Sequence, residues 1–501
     1  MRFTSLVVEL IRARPRLVVW IVVLTQAAIW LLLPLIFYGS PPGDVATVLA
    51  FGREYQVGTE MGPPLAFWLA DIAYRAAGNH IFGVYLLAQV CEIVTFIAFY
   101  RLARAIVGGP QGVLAVLLSM TVVVFSSPSV EFGPLILARP LWALLLLHSW
   151  RLIGQNRRSA WFAWSIDCGL LLLTTPAAVG MILLVVCFAV ATERGRRTLR
   201  AVDPLYALLV IIVLALPYLI WLIRADALSL PPLPALADLG ARARQWGVVL
   251  GGLIVATAAV ALLVIVNSRW FAGNRDDSPI IYRPKVGPLA QQFVYFFAFA
   301  PAIAGSFIAG LFNLEHVFGG AGVALLMSGL AVVVATGDLI HLRRQRLLRS
   351  VWALTVAAPA AVAVAVALFL PWTSTTEVPT SLPSAAIGRF FDDSYERRTN
   401  QRLRAVAGDP EIASLIAMEA RRPHLLLDAT PQRTPWLSLA KFNETGGVVV
   451  WRAQDTAGTP PPEFAQRFPG LVPEVPRSFD RLVNGRQPTL RIGWAIVRPK
   501  G

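Results

Sequence analysis

A single carboxylate, Asp44, follows directly on "FYGSPPG", Phe37 to Gly43, the stretch that ends the first long apolar run of the chain. A carboxylate in this place can take a proton from an incoming hydroxyl, provided the hydroxyl comes within hydrogen-bond reach. It can equally cap the amphipathic segment behind it, because Asp is a favoured N-cap residue. Glu131, just outside the fourth apolar run, is a second acid for substrate contacts. Arg139 lies inside that run beside Pro140, where a charge is costly and therefore a functional hypothesis by default. Its guanidinium could stabilise negative charge that develops on a substrate; the alternatives are snorkelling to the interface or pairing with Glu131. Arg53, in the loop after Asp44, and Arg224, at the outer end of the seventh run, are further cations for an anionic substrate group. His80, His148, His316 and His341 lie far apart without ligand spacing, so no metal site is expected from them. No cofactor is expected, a divalent metal being left open.

These residues need elements to hold them, and composition says which. Over 501 residues, 56% are hydrophobic and only 15% charged, which is the profile of a polytopic membrane protein. The net charge of +15 is spread in short clusters between apolar runs rather than gathered on one face, so nucleic acid is not an expected partner. Only three of the 44 basic residues are lysine, a skew more suggestive of a GC-rich bacterial genome than of chemistry. Cys91, Cys168 and Cys187 fall inside apolar runs and read as small packing residues.

Apolar runs of spanning length or near it predict about eleven spans, near 17–38, 81–100, 112–127, 134–150, 161–175, 176–191, 204–223, 246–266, 290–311, 320–337 and 351–371. The third to sixth are short, as tilted, merged or partial spans would be. The first run is too long for a signal peptide and lacks a small-residue cleavage site, so it reads as a retained span. Twenty-one lysines and arginines fall in the loops on the N-terminal side, against five (Arg53, Arg75, Arg224, Arg242 and Arg244) on the other. Positive residues stay inside, so the N-terminus is expected in the cytoplasm and everything after Leu370 outside.

That tail changes character. "RLRAVAG", "PHLLLDA", "GGVVVWRA" and "RIGWAIVRP" read as buried strands, and "DPEIASLIAMEARR" as a helix with Asp409 at its N-cap and Pro410 behind it. The fold class is therefore mainly α: a polytopic membrane helix bundle over residues 1–371, with a small C-terminal α/β extracytoplasmic domain over 372–501. The first outer loop, 39–80, contains two short helices separated by Pro63 and Pro64. Phe67, Trp68 and Tyr74 with Arg53 and Arg75 suggest that it lies on the outer leaflet, aromatic bodies in lipid and cations at headgroup level. Glu60 and Asp71 read as solvated residues of this loop.

Over residues 15–200 the sequence resembles the GT-C glycosyltransferases of the protein O-mannosyltransferase and aminoarabinose transferase group. The resemblance rests on the acid opening the outer loop, on "GPPLAFWL", on a second span ending in "RLAR", on "VEFGPLILARPLWALLL" and on the hairpin "GLLLLTTPAAVGMILL". The sequence departs from the family pattern at Val45, Gly62 and Thr175, where a second acid, a histidine and a lysine are common. The resemblance implies a sugar donor carried on a polyprenyl phosphate, an inverting transfer outside the cytoplasm, and Asp44 as general base on the acceptor hydroxyl.

The expected function is thus transfer of a monosaccharide from a polyprenyl-phosphate donor to a lipid, glycan or protein acceptor of the cell envelope, by a multi-pass protein of a bacterial inner membrane with its C-terminal domain in the periplasm. Its partners would be that donor, that acceptor and the membrane lipids. A transporter or flippase of a lipid-linked sugar, with Arg139 and Glu131 lining a pathway, is the alternative; related halves or broken mid-membrane helices would mark it, and the sequence shows neither. A third reading, a tail-borne binding module with a membrane anchor, needs far fewer spans than eleven.

Overall fold

A computed structural model describes residues 3–225, 235, 238–268, 280–314, 316–427, 435–453, 455–483 and 485–499. The chain forms two compact units. One comprises Met1–Trp30, Ala88–Ser129 and Pro134–Ala360; the other comprises Leu31–Leu87, Val130–Gly133 and Ala361–Gly501.

All eleven expected span positions carry helix. Among the described residues, six helices are long and apolar enough to cross a membrane: Pro15–Phe37, Phe82–Val107, Pro134–Ile153, Asp203–Arg224, Pro288–Phe312 and Gln345–Thr373. Two further positions hold bent pairs. Ala178–Ala191 turns by 110° into Glu193–Leu199, and Leu239–Ala256 by 45° into Ala258–Asn267. Three shorter apolar helices, Gly109–Ser119, Ala160–Leu172 and Ala321–Ala335, fill the remaining positions. The fourth span, expected to be short, runs 20 residues.

Burial tells which helices face lipid. Gln345–Thr373 has a mean hydropathy of 2.4 over its most apolar stretch, none of which is buried, and in Asp203–Arg224 only 17% of that stretch is buried. Helices apolar on every side and uncovered by protein are stable only in hydrocarbon. Pro134–Ile153 is the opposite case, 83% buried. Its Trp142 and Trp150 meet Phe297 and Phe293 of Pro288–Phe312 at 5.9 and 5.2 Å between ring centroids, and Phe188 closes the cluster. In the same unit a two-stranded antiparallel ribbon joins β1 (Ile280–Tyr282) to β2 (Leu339–His341).

The second unit contains a five-stranded sheet of β3 (Ala405–Gly408), β4 (His424–Leu427), β5 (Gly447–Arg452), β6 (Arg477–Phe479) and β7 (Leu490–Val497), in the order β4-β3-β5-β7-β6. β3 is parallel to both β4 and β5, while β7 is antiparallel to β5 and β6. The four expected strands are present, the second up to Leu427, where description stops; β6 is additional. Between β3 and β4 runs the expected helix, Pro410–Glu419. The Asp409 carboxylate accepts hydrogen bonds from the backbone N–H groups of Glu411 and Ile412, both at 3.1 Å. This satisfies two of the donors that a helix start leaves open.

Candidate active site at the first outer loop

Asp44 is positioned from both sides along the chain. Before it, the exit of the first span is tied to the segment Pro379–Ser384: Gly39 N–H donates to Thr380 O at 2.8 Å, Ser40 Oγ to Pro379 O at 2.5 Å, and Ser384 Oγ to Gly39 O at 2.7 Å. After it comes the helix Val45–Arg53, whose inner face is buried against Leu65–Ala76. The two approach so closely that a Cβ at Gly52 would lie 2.2 Å from Phe67 O. On the far side, Thr47 Oγ1 meets Ser414 Oγ of helix Pro410–Glu419 at 2.9 Å, and Tyr74 Oη donates to Met418 O at 3.3 Å. The α/β part thus holds the first-loop helices in place.

Asp44 stands at the N-cap position of Val45–Arg53, yet its side chain makes no capping hydrogen bond. Only its carbonyl takes part, accepting from Val48 N–H at 2.8 Å. The carboxylate is exposed and is not committed to the helix.

Glu131 joins Asp44. Gly43 has φ +57°, and a Cβ there would lie 2.8 Å from Glu131 Cδ and 2.9 Å from Glu131 Oε2, so the Glu131 carboxyl lies over the backbone just before Asp44. Although Glu131 reaches the surface, desolvation raises its carboxyl above the ordinary carboxylate range, and the charge of Asp44 raises it further. Two carboxyl groups therefore share one exposed place at the end of the first span. Such a set can accept a proton at Asp44 and hold one at Glu131.

Arg53 does not join them. Val45–Arg53 is nine residues long, which sets Arg53 about 13 Å along the helix axis from Asp44. Arg139 and Arg224 belong to the other compact unit. Arg224 is exposed at the end of its helix. Arg139 is only 8% exposed and pairs through Nη1 with Glu92 Oε1 at 2.8 Å, with its guanidinium carbon 5.8 Å from the centroid of the Phe125 ring. Its carboxylate partner is Glu92 rather than Glu131, and snorkelling is not what satisfies it. Glu92 was missed at the sequence level, although an acid in the middle of the second span carries the same warrant that singled out Arg139. Asp167 in the fifth span was missed too; it meets His148 Nδ1 at 2.5 Å.

Two expectations for the loop are corrected. Asp71 is fully buried rather than solvated, bonded to Tyr55 Oη at 2.9 Å, Arg75 Nε at 2.7 Å and the guanidinium of Arg422. Phe67 and Tyr74 face protein instead of lipid: Phe67 packs on Phe51, and Tyr74 lies under the Arg422 guanidinium. The sequence shows an amphipathic loop, and its apolar face is covered by the α/β part.

A family profile described as dolichyl-phosphate-mannose-protein mannosyltransferase matches residues 61–221. No curated protein matches the sequence. Among solved structures, ArnT from Cupriavidus metallidurans bound to undecaprenyl phosphate superposes with a TM-score of 0.60 at 13% identity, over 96% of this chain and 99% of that one. The same protein in its apo state gives 0.57 at 12% identity with the same coverage. An oligosaccharyltransferase from Archaeoglobus fulgidus gives 0.46 at 13% identity, over 81% of this chain and 62% of that one. The chain has the fold of ArnT, and the description of the matched profile is that of a glycosyltransferase.

Proposed function

We propose that this membrane protein transfers one sugar from a polyprenyl-phosphate carrier to a hydroxyl-bearing acceptor of the cell envelope, with Asp44 as general base. The observation that carries the reading is the state of Asp44: a carboxylate at a helix start, unused for capping, exposed, and beside a second acid. The undecaprenyl phosphate bound to the structurally similar ArnT supports a donor of that chemical kind.

In the step we infer, the acceptor oxygen attacks the anomeric carbon as its proton passes to the Asp44 carboxylate. The bond from that carbon to the phosphate oxygen breaks on the opposite face, and the polyprenyl phosphate leaves with the electron pair. Configuration at the anomeric carbon inverts. Glu131, with its raised carboxyl, is suited to holding a proton while it hydrogen-bonds a sugar or acceptor oxygen. Arg139 and Arg224 are the proposed cations for the donor phosphate, Arg139 with part of its charge already balanced by Glu92. Arg53, at the far end of its helix, is better suited to a different anion. The positive-inside count supports a cytoplasmic N-terminus and, with it, our reading of this site as one at the periplasmic face of a bacterial inner membrane.

The test is transfer by the purified protein in detergent, given polyprenyl-phosphate sugars and envelope extracts as acceptors. A transferase releases polyprenyl phosphate and forms a glycosylated product with inverted configuration. A flippase forms no product without a sealed membrane, and that outcome would overturn the reading.

A further inference from the structure

The end of helix Val45–Arg53 and the N-terminal edge of the parallel strands β3 and β4 enclose a cavity of about 480 Å³ within the second unit. Six full cations line it, Arg53, Arg402, Arg404, Arg421, Arg422 and Lys441, and none of its described lining residues is acidic. Its size is that of a small-ligand site, whereas like charges gathered without a counter-ion repel one another.

Part of this charge is used by the protein. Arg421 is held by Asp392 at 3.1 Å and Glu396 at 3.0 Å, Arg422 by Asp71, and His424 Nδ1 by Glu54 Oε1 at 2.7 Å. These pairs fix the walls. The remainder is less committed: Arg53 Nη1 is buried with no hydrogen-bond partner, and no described carboxylate forms an ion pair with Arg402, Arg404 or Lys441, although Arg53 feels the charge of Glu54 and Arg402 that of Asp392. A buried guanidinium nitrogen without an acceptor loses the hydrogen bonds it had in water, and a ligand oxygen would restore them. Desolvation draws the Arg53 guanidinium pKa below its ordinary value; Glu54 and Asp71 oppose this, and the neighbouring cations Arg422 and Arg75 add to it. Trp436 forms a fixed wall, its Nε1–H donating to Leu425 O at 3.1 Å and its ring set edge-on to Phe51 at 4.9 Å.

We propose that this cavity is a binding site for a phosphomonoester or diphosphate group, separate from the place where Asp44 acts. Phosphate is favoured because planar guanidinium forks match its oxygens two at a time, and because a doubly charged group balances several cations at once. The ligand would bridge the first outer loop, through Arg53, to the α/β part, through Arg402, Arg404 and Lys441. The proposal does not depend on the transfer chemistry and is tested without it.

The full-length protein in neutral detergent is titrated calorimetrically with inorganic pyrophosphate and, separately, with dioctanoyl phosphatidic acid, using dioctanoyl phosphatidylcholine, a zwitterionic phosphodiester, as the control lipid. Saturable binding of at least one phosphate probe, weakened as ionic strength rises and weakened at least about tenfold in the double variant Arg402→Gln/Arg404→Gln, is the expected result. Binding of pyrophosphate as well as phosphatidic acid identifies a site for free phosphate groups; binding of phosphatidic acid alone identifies a lipid headgroup site. Both altered side chains are exposed, and an unchanged melting temperature shows that the variant is folded; Lys441→Gln supplies a second, independent loss. Absence of binding by both phosphate probes, or binding equal in wild type and variants, would overturn the proposal.

Discussion

At the scale of single residues, the site depends on charges that cannot be considered one at a time. Glu131 has a raised pKa, so the folded protein holds its proton more tightly than the unfolded chain does. Its contribution to stability is fully present below the unfolded carboxyl pKa and is lost as pH rises through the higher folded one. Glu131→Gln should therefore gain melting temperature over wild type as pH goes from about 4 to about 7. A constant difference across that range would contradict the shift. Asp44→Asn should bring the Glu131 pKa down by removing the second of its two causes, an effect visible in the pH dependence of the same melting curves. The Arg139–Glu92 pair makes a different prediction. Arg139→Met alone leaves an unpaired carboxylate inside the bundle and should cost about 3–5 kcal/mol. Arg139→Met combined with Glu92→Gln should recover most of that loss in detergent unfolding, and equal losses in both variants would show that the pair is not what matters. Glu92 and Arg139 are 47 positions apart. Each could be singled out as a charge in a span, but their pairing is not written in any local pattern.

Elements whose signals are local were legible. Asp409 followed by Pro410 marks a helix start because its carboxylate reaches N–H groups two and three positions on. Asp409→Ala should cost about 1 kcal/mol, measured as a lowered melting temperature of the full chain. The same rule misleads at Asp44, where residue type and position both fit a cap and the side chain nevertheless makes none. Gly43 helps explain why: its left-handed backbone and the Glu131 carboxyl lying on it set the direction in which the chain enters the helix. Gly43→Ala should destabilise by about 1 kcal/mol or more and reduce transfer beyond what the loss of stability explains, because it displaces both acids. The bends were not legible from hydropathy alone. Ala178–Ala191 stops where Thr192 takes extended backbone and its hydroxyl accepts from Gly195 N–H at 3.3 Å. The arginines behind it, Arg194, Arg196, Arg197 and Arg200, cannot follow into hydrocarbon. At the 45° break, Thr257 Oγ1 donates to Ile254 O at 2.7 Å, a back-bond of the kind that bends helices.

At the scale of the whole molecule, the apolar runs placed the helices, and the charges between them supplied an orientation. They could not show that the first outer loop packs into one compact unit with the C-terminal part. That association joins residues more than 300 positions apart, such as Tyr74 with Met418 and Asp71 with Arg422, and hydropathy windows do not sense it. It gives the α/β part a physical role, holding the helix that Asp44 opens. The central claim is that this carboxylate removes the acceptor proton. The most direct test is the single-turnover rate of sugar transfer by wild-type protein and by Asp44→Asn, purified in the same detergent, with melting temperature and donor binding measured alongside. The variant should bind donor, melt as wild type does to within the effect on Glu131, and transfer about 10²–10⁴-fold more slowly; transfer at the wild-type rate by a folded Asp44→Asn protein would contradict the account.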